Sequence, residues 1–336
     1  MKATAVSDLS ASMRLSRFGQ STKSDMNKAG LEVASGRKSD LVNATSGDLS
    51  GLFAIEKNMA RLDVRNAAMS TASARAEASQ LNLEKIQSHV AEFGTKLIAA
   101  VDLGNQAQAF SVASSARSAF DSIVSAMNGQ YGHHSLFAGA AVDGAAVING
   151  QDMYDEIIAL TAGAADSTAV IAAVDDYFFN PAGGFVNSAF LGDALDAPGV
   201  EVANGRVVEY SARADSDSLR QALRDVALVA VAQNSDHAGS DLDGMNIMRA
   251  AATSALVTVD DIIKLRENLG HVEDQLSAAT AFNASEKNMF EMKRNSIIAA
   301  DPYEAATRFQ ALQTQMEAVY LMTSRLSTMK LQNYLR

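Results

Sequence analysis

The longest apolar pattern in the chain lies over residues 52–101 and constrains the fold more than any other feature. Apolar side chains recur there at steps of three and four, beginning with Leu52, Ile55 and Met59, which is the spacing of one helix face. A single helix over this stretch would be about 75 Å long at ~1.5 Å per residue. A compact chain of 336 residues has a radius of gyration of only about 20 Å. The sequence therefore predicts an elongated rod and not a globule.

The second half of the chain supplies a matching set of helices. A similar apolar pattern runs through Ile262 and Leu269, within a predicted helix of about 253–299. Pro302 disfavours helix at the residue before it and suits the start of a helix itself. We therefore predict a final helix from Pro302 to about Leu335.

Together these elements predict a mainly α fold: an elongated antiparallel helical-hairpin rod with amphipathic N- and C-terminal helices and a small α+β tip domain. The first helix is predicted over residues 1–35. After a break at residues 102–105, one further helix is predicted to reach about Met127. The expected divisions are an N-terminal helix and turn (1–47), ascending rod helices (48–134), a variable α+β outer domain (135–245), a descending rod helix (246–300) and a C-terminal helix (301–336).

The tip domain is indicated by a change of pattern in the middle of the chain. Helical spacing is lost and glycine-rich turns appear. The pair Asn204-Gly205 stands between two β-favouring runs, which is a strong signal for a hairpin. The stretch DSLRQALRDVALVAVA that follows is typical of a helix, with Asp215 or Ser216 as a suitable N-cap.

Charge and composition exclude several classes of protein. Residues 129–245 carry 17 acidic side chains and four basic ones, whereas residues 1–38 carry seven basic and three acidic ones. An acidic middle argues against nucleic acid as a partner. No apolar run has the length of a membrane span or of a cleaved signal peptide. The absence of cysteine excludes disulfides, thiolate metal sites and cysteine nucleophiles.

No arrangement of residues predicts catalysis. Adjacent His133 and His134 point away from each other in helix and strand alike, and no histidine stands in an HExxH pattern. Phosphate-binding loops and GxSxG elbows are also absent. We therefore expect no enzyme activity, no cofactor and no metal site.

Both termini carry apolar stripes that have no evident partner within the predicted rod. Such a stripe is usually intramolecular core or an ordinary coiled coil. Here, however, the two helices stand at opposite ends of the chain and each has only a narrow stripe, so they depend on packing for stability. We predict that they bury these faces on each other and on neighbouring copies. The predicted interface residues are Leu9, Met13, Phe18, Phe309, Leu312, Met316, Val319, Leu326, Tyr334 and Leu335.

Two stretches resemble the flagellin superfamily. Residues 31–59 resemble the segment after the first helix of that superfamily, where a Ser-Ser-Gly turn precedes a Gly-Leu-x-Ala-Ile-like helix start. Ser35-Gly36-Arg37 and residues 51–55 stand at those places. Ala34 replaces the first serine. The Asp-Pro pair that is common in the hook–filament junction branch of the superfamily is missing near residues 48–49.

The C-terminal stretch carries the second part of the resemblance. Residues 302–336 are similar to the last helix of the superfamily, with Glu304-Ala305 and Glu317-Ala318 at familiar positions. The ending at residues 331–335 is more like the hook-associated protein 3 branch than like filament flagellin. The segment SLFAGAAVDG (residues 135–144) resembles the Phe-x-Gly segment that leaves the long helical hairpin in that branch.

The resemblance implies a structural subunit of the bacterial flagellum. It implies export through the flagellar export apparatus without a cleaved signal peptide, with or without an export chaperone. It also implies an extracellular location in the flagellum. The termini would fold on assembly into axial layers, with the acidic middle facing outward. The implied partners are hook-associated protein 1, flagellin and further copies of the chain in a hook–filament junction ring.

Two other functions stay open at this point. The chain is also compatible with flagellin, the filament subunit itself. A free helical binding module, such as a cytoplasmic chaperone or sensor adaptor, would have a similar helical pattern but ordered termini as a monomer.

Overall fold

The computed structural model describes residues 2–233 and 241–334 and is mainly helical, as predicted. The only regular β-structure in this part of the chain is two antiparallel two-stranded sheets. A five-residue π-helix (Phe185–Ala189) precedes the second of them. In chain order the elements are α1 (Lys2–Ser35), α2 (Leu41–Ala44), α3 (Ser50–Asp102), α4 (Gln106–Ala113), α5 (Ala116–Met127), β1 (Gln130–Tyr131), β2 (His134–Ser135), α6 (Gly150–Thr161), α7 (Ser167–Phe179), β3 (Val200–Ala203), β4 (Arg206–Val208), α8 (Asp217–Ala232), α9 (Asp241–Ile298) and α10 (Pro302–Tyr334).

The chain divides into two compact units. The terminal unit consists of Met1–Leu62 and Ala284–Arg336, and the central unit is Asp63–Asn283. Among the described residues, no helix is both long enough and apolar enough to cross a membrane.

Within the central unit, α3 and α9 form an antiparallel hairpin, as predicted. The side chain of Gln80 donates to the carbonyl of Arg266 at 2.7 Å. Gly94, which follows Gln80 on α3, lies against Ala255, which precedes Arg266 on α9. The two helices therefore run in opposite directions. Apolar positions of the predicted stripe line the shared core; among those fully buried are Leu83, Ile86, Val90 and Leu97.

The hairpin β3–β4 confirms the prediction from Asn204-Gly205. Val200 pairs with Val208, and Gly205 has a φ of +72°, a conformation that costs glycine nothing. The hairpin is fixed to α3 by Arg65, which is buried and donates to Glu201 at 2.9 Å and to Asn204 at 3.0 Å.

Helix α8 lies in the middle of the core of the central unit. Every residue from 222 to 232 is buried, because α5, α6 and α7 all pack around it. The two charged residues in this run are paired: Arg224 donates to Asp175 at 2.6 Å, and Asp225 accepts from Thr258 at 2.7 Å.

The N-terminus of α8 differs from the expectation. Ser216 occupies the cap position, but its side chain makes no capping hydrogen bond. Asp215 does not cap either, because its carboxylate accepts from Arg213 at 2.8 Å. Ser216 is therefore the N-cap by position alone, and the Asp215 carboxylate is engaged in an ion pair with Arg213.

In the terminal unit, a tight turn follows α1 and is joined to the residues before α10. Gly36 ends α1 with a φ of +67°. The backbone N–H of Lys38 then donates to Ile298 at 2.8 Å, and that of Ala300 donates to Gly36 at 3.0 Å. Asp301 caps α10 by accepting from two backbone N–H groups. Pro302 is the first residue of that helix, as predicted.

Candidate assembly surface on the terminal helices

Helices α1 and α10 pack against each other in opposite directions along a narrow seam. Glycines on α1 face large side chains on α10. A Cβ added to Gly30 would lie 3.3 Å from the Phe309 ring, and one added to Gly19 would lie 3.2 Å from Val319. The side chains buried in the terminal helices are few; apart from Glu32, the described ones are Thr22, Ala29, Ala305, Met316 and Val319.

A charged contact closes one end of the seam. The Glu32 carboxylate is only 6 % exposed and accepts from the Ser39 backbone N–H at 2.8 Å and from the Ser39 hydroxyl at 2.9 Å. Arg308 on α10 donates to its other oxygen. Burial raises the pKa of Glu32, but the Ser39 hydrogen bonds and the Arg308 charge outweigh burial and leave this pKa below its ordinary value.

Two openings lie between the helices. Beside the charged contact is a polar cavity of about 640 Å³, lined by both helices and the intervening turn. Toward the other end is a mainly apolar groove of about 490 Å³. The side chains that line this groove include Leu15, Met316, Val319 and Tyr320. The seam thus leaves apolar surface that neither helix covers.

Further apolar side chains stand out from the same two helices. Met13 is 53 % exposed and Phe18 is 48 % exposed. The other strongly exposed ones are Leu31, Val33, Tyr303, Tyr320, Leu321 and Met322. Exposed apolar side chains also occur on α3 and α9, for example Phe282 and Met292, and scattered ones are normal. It is the uncovered groove beside them that marks the α1–α10 pair as a candidate interaction surface.

The ten predicted interface residues fall into three groups. Met316 and Val319 are buried in the seam, whereas Phe309 and Leu312 are half-buried. Met13 and Phe18 point outward. The side chains of Leu9, Leu326 and Tyr334, and the whole of Leu335, lie outside the described residues.

Sequence reasoning missed the polar part of this site. Glu32 and Arg308 stand 276 positions apart, so no local pattern links them. Gly19 and Gly30 did carry a signal, since a glycine inside a helical pattern often marks a close approach.

Potential metal ligands in the described residues are spread apart. No three histidine, aspartate or glutamate side chains in that part of the chain are grouped so that they could hold a metal ion. His134 lies 3.4 Å from Asp143, and both are exposed. The terminal helices are therefore the best candidate for a functional surface.

Comparison with known proteins gives this surface a context. Residues 240–335 match the family described as the bacterial flagellin C-terminal helical region. The C-terminal part of the chain is thus similar to this region of flagellins. No curated protein sequence matches the chain.

One solved structure shares the fold over most of the chain. The chain is similar to FlgL from Bacillus cereus, with a TM-score of 0.51 and 10 % identity, over 72 % of this chain and all of that one. A flagellar hook-associated protein from Vibrio parahaemolyticus also matches, with a TM-score of 0.36 and 15 % identity, over 76 % of this chain and 95 % of that one.

Proposed function

We propose that the chain joins hook-associated protein 1 to the flagellin filament as a subunit of the hook–filament junction ring. FlgL, with which the chain shares its fold, is hook-associated protein 3, and the C-terminal part resembles flagellin. The observation that carries the proposal is the terminal helix pair, which has an open apolar groove and a set of exposed apolar side chains.

In this proposal, helices of neighbouring subunits cover the groove. Burial of one large apolar side chain contributes very roughly 1.5–3 kcal/mol. Several such side chains per subunit stabilise the joint even after the cost of ordering them. The residues proposed for these contacts are Leu9, Met13, Phe18, Phe309, Leu312, Met316, Val319, Leu326, Tyr334 and Leu335.

The proposal includes a route and a location. The subunit is exported by the flagellar export apparatus without a cleaved signal peptide, with or without an export chaperone, and ends in the extracellular flagellum. Its role is mechanical, so it needs neither a cofactor nor catalysis.

Electron microscopy of cells that lack this protein tests the junction role. We expect intact hooks on the cells and detached filaments in the medium, with attachment restored when the gene is supplied again. Filaments that remain attached to cells without the protein would contradict the junction role.

Filament flagellin is the second candidate, because the matched family region is that of flagellin itself. Quantification of the protein in isolated flagella separates the two. A junction ring needs a small fixed number of copies per flagellum, whereas a filament needs thousands.

A further inference from the structure

Three parts of the terminal unit meet at one carboxylate. Glu32 belongs to α1, Ser39 to the turn that follows, and Arg308 to α10. We propose that these residues form an acid-sensitive latch, which holds α1 and α10 together at neutral pH and releases them on acidification while the central unit stays folded. This inference goes beyond the proposed junction role and does not depend on it.

The geometry requires the negative charge of Glu32. One carboxylate oxygen accepts two hydrogen bonds from Ser39, and the other faces the Arg308 guanidinium. Bonds to an ionised group are about twice as strong as neutral ones. Protonation weakens all of these bonds and leaves the Arg308 charge without its counter-ion.

Protons can reach the latch through the polar cavity beside it. The cavity is lined by Glu32 and Arg308 and opens to solvent. Charged side chains face it from α1, from the turn and from α10; besides the latch residues they are Asp25, Lys28, Lys38, Asp40, Asp301 and Glu304. Two of these carboxylates already serve as helix caps, since Asp40 bonds to the N–H of Asn43 and Asp301 to that of Tyr303.

The direction of the pH effect follows from linkage. A glutamate whose pKa is lowered by folding binds fewer protons in the folded state than in the unfolded state. Its contribution to stability is therefore complete above the ordinary glutamate pKa of 4.5. The contribution is lost as the pH falls through the lower value of the folded protein.

Two carboxylates in the central unit, one buried and one half-buried, respond in the opposite direction. Burial raises the pKa of Asp225, in spite of the hydrogen bonds that it accepts from Thr258 and Arg224. Burial also raises the pKa of Glu273, which faces Glu77 and Asp274. These two groups bind protons more readily in the folded state, so their own titration stabilises the folded central unit as the pH falls.

The latch matters because the contact between α1 and α10 buries few side chains. Few large side chains are buried between α1 and α10, so local opening of this pair costs little compared with opening of the central core. One charged contact is then a large share of what holds the pair closed.

Hydrogen exchange by mass spectrometry on the purified full chain, corrected for intrinsic exchange rates, tests the latch between pH 7 and pH 3.5. In the wild type, protection of α1 and α10 should fall as the pH drops below the ordinary glutamate pKa of 4.5, by up to about tenfold at pH 3.5. Peptides from α8 should keep their protection over this range. In Glu32→Gln, protection of α1 and α10 should already be low at pH 7 and should no longer depend on pH.

Two further variants make the result specific. Glu304→Gln changes an exposed glutamate of the same cavity and should behave like the wild type. Arg308→Gln removes the counter-ion, so release should begin at a higher pH. Three wild-type results would rule out the latch: protection that does not depend on pH, protection of α8 that is lost at the same pH as that of α1 and α10, or no protection of α1 and α10 at pH 7. Equal effects of Glu32→Gln and Glu304→Gln would also rule it out. None of these outcomes bears on filament attachment in cells.

Discussion

At the scale of single residues, a glycine lets the two helices of the hairpin approach closely. Gly94 on α3 has no side chain, and a Cβ added there would lie 2.9 Å from the Cβ of Ala255 on α9. Real Cβ atoms do not approach so closely, so the two helices would have to separate. The distance between these helices is therefore set by the residue at position 94.

We predict that Gly94→Ala destabilises the central unit by about 1–3 kcal/mol, the usual cost of overpacking. The matched control is Gly270→Ala on α9, where the nearest atom to an added Cβ is 3.9 Å away. That change should be neutral or stabilise by up to ~1 kcal/mol, because alanine favours helix. Urea unfolding of the two variants measures the difference, and equal stabilities would show that the close approach has no energetic weight.

Sequence patterns predicted the apolar residues of the candidate surface better than its polar ones. Phe309, Met316 and Val319 follow a helical period, and a period is visible in a single sequence. Glu32 and Arg308 meet only because two distant helices run in opposite directions with a particular register. That register depends on glycines and side-chain shapes along the whole contact between α1 and α10. No short stretch of the sequence contains all of these positions.

At the scale of elements, the long helices were the most predictable part. The helix predicted over residues 52–101 is α3, and the final helix begins at Pro302 as expected. The descending helix was predicted from about residue 253 but begins at Asp241. Apolar residues such as Ile247 and Met248 are fully or almost fully buried in this extra stretch, so the apolar pattern extends further than was predicted.

One predicted helix is broken into two. The stretch after residue 105 forms α4 and α5, separated at Ser114-Ser115. The hydroxyls of these serines donate to the carbonyls of Ser111 and Val112, at 2.7 and 2.8 Å. Such bonds compete with the helical ladder, and serine pairs in a helical pattern are therefore a signal for a break.

Removal of most of α10 tests the terminal pair as an element. We predict that deletion of residues 309–336 abolishes filament attachment in cells while residues 140–245 stay folded, because α10 packs on α1 within the terminal unit. Electron microscopy reports attachment, and a protease-resistant central fragment reports folding.

The deletion removes both the folded helix α10 and its exposed apolar groups, and a pair of double variants separates these two effects on filament attachment. Leu321→Ser with Met322→Ser removes exposed apolar groups from α10, and Leu191→Ser with Leu195→Ser removes similarly exposed groups from the central unit. Only the first pair should weaken attachment. Equal behaviour of the two pairs would speak against the proposed interface.

At the scale of the whole molecule, burial is unevenly divided between the two units. The central unit has a continuous core of fully buried side chains, whereas the terminal helices bury few large ones. Regions with few buried apolar contacts open most readily. A single chain in solution should therefore be least stable near its two ends.

Limited proteolysis of the purified chain measures this difference. We predict that the first cuts fall in α1 and α10 and leave a resistant fragment within residues 63–283. A free helical binding module, the remaining alternative, would instead keep both ends intact for as long as the core. Resistance of α1 and α10 equal to that of α8 would favour that alternative.

The burial of α8 on all sides has a consequence for the chain before it folds. Residues 226–232 read VALVAVA, without charge, proline or glycine. Short β-prone apolar segments of this kind stack into fibrils when they are left uncovered. Arg224 and Asp225 stand directly before the segment, in the place where charged gatekeepers oppose such stacking. Cells that hold this protein in an extended form must therefore shield one heptapeptide above all from its own copies.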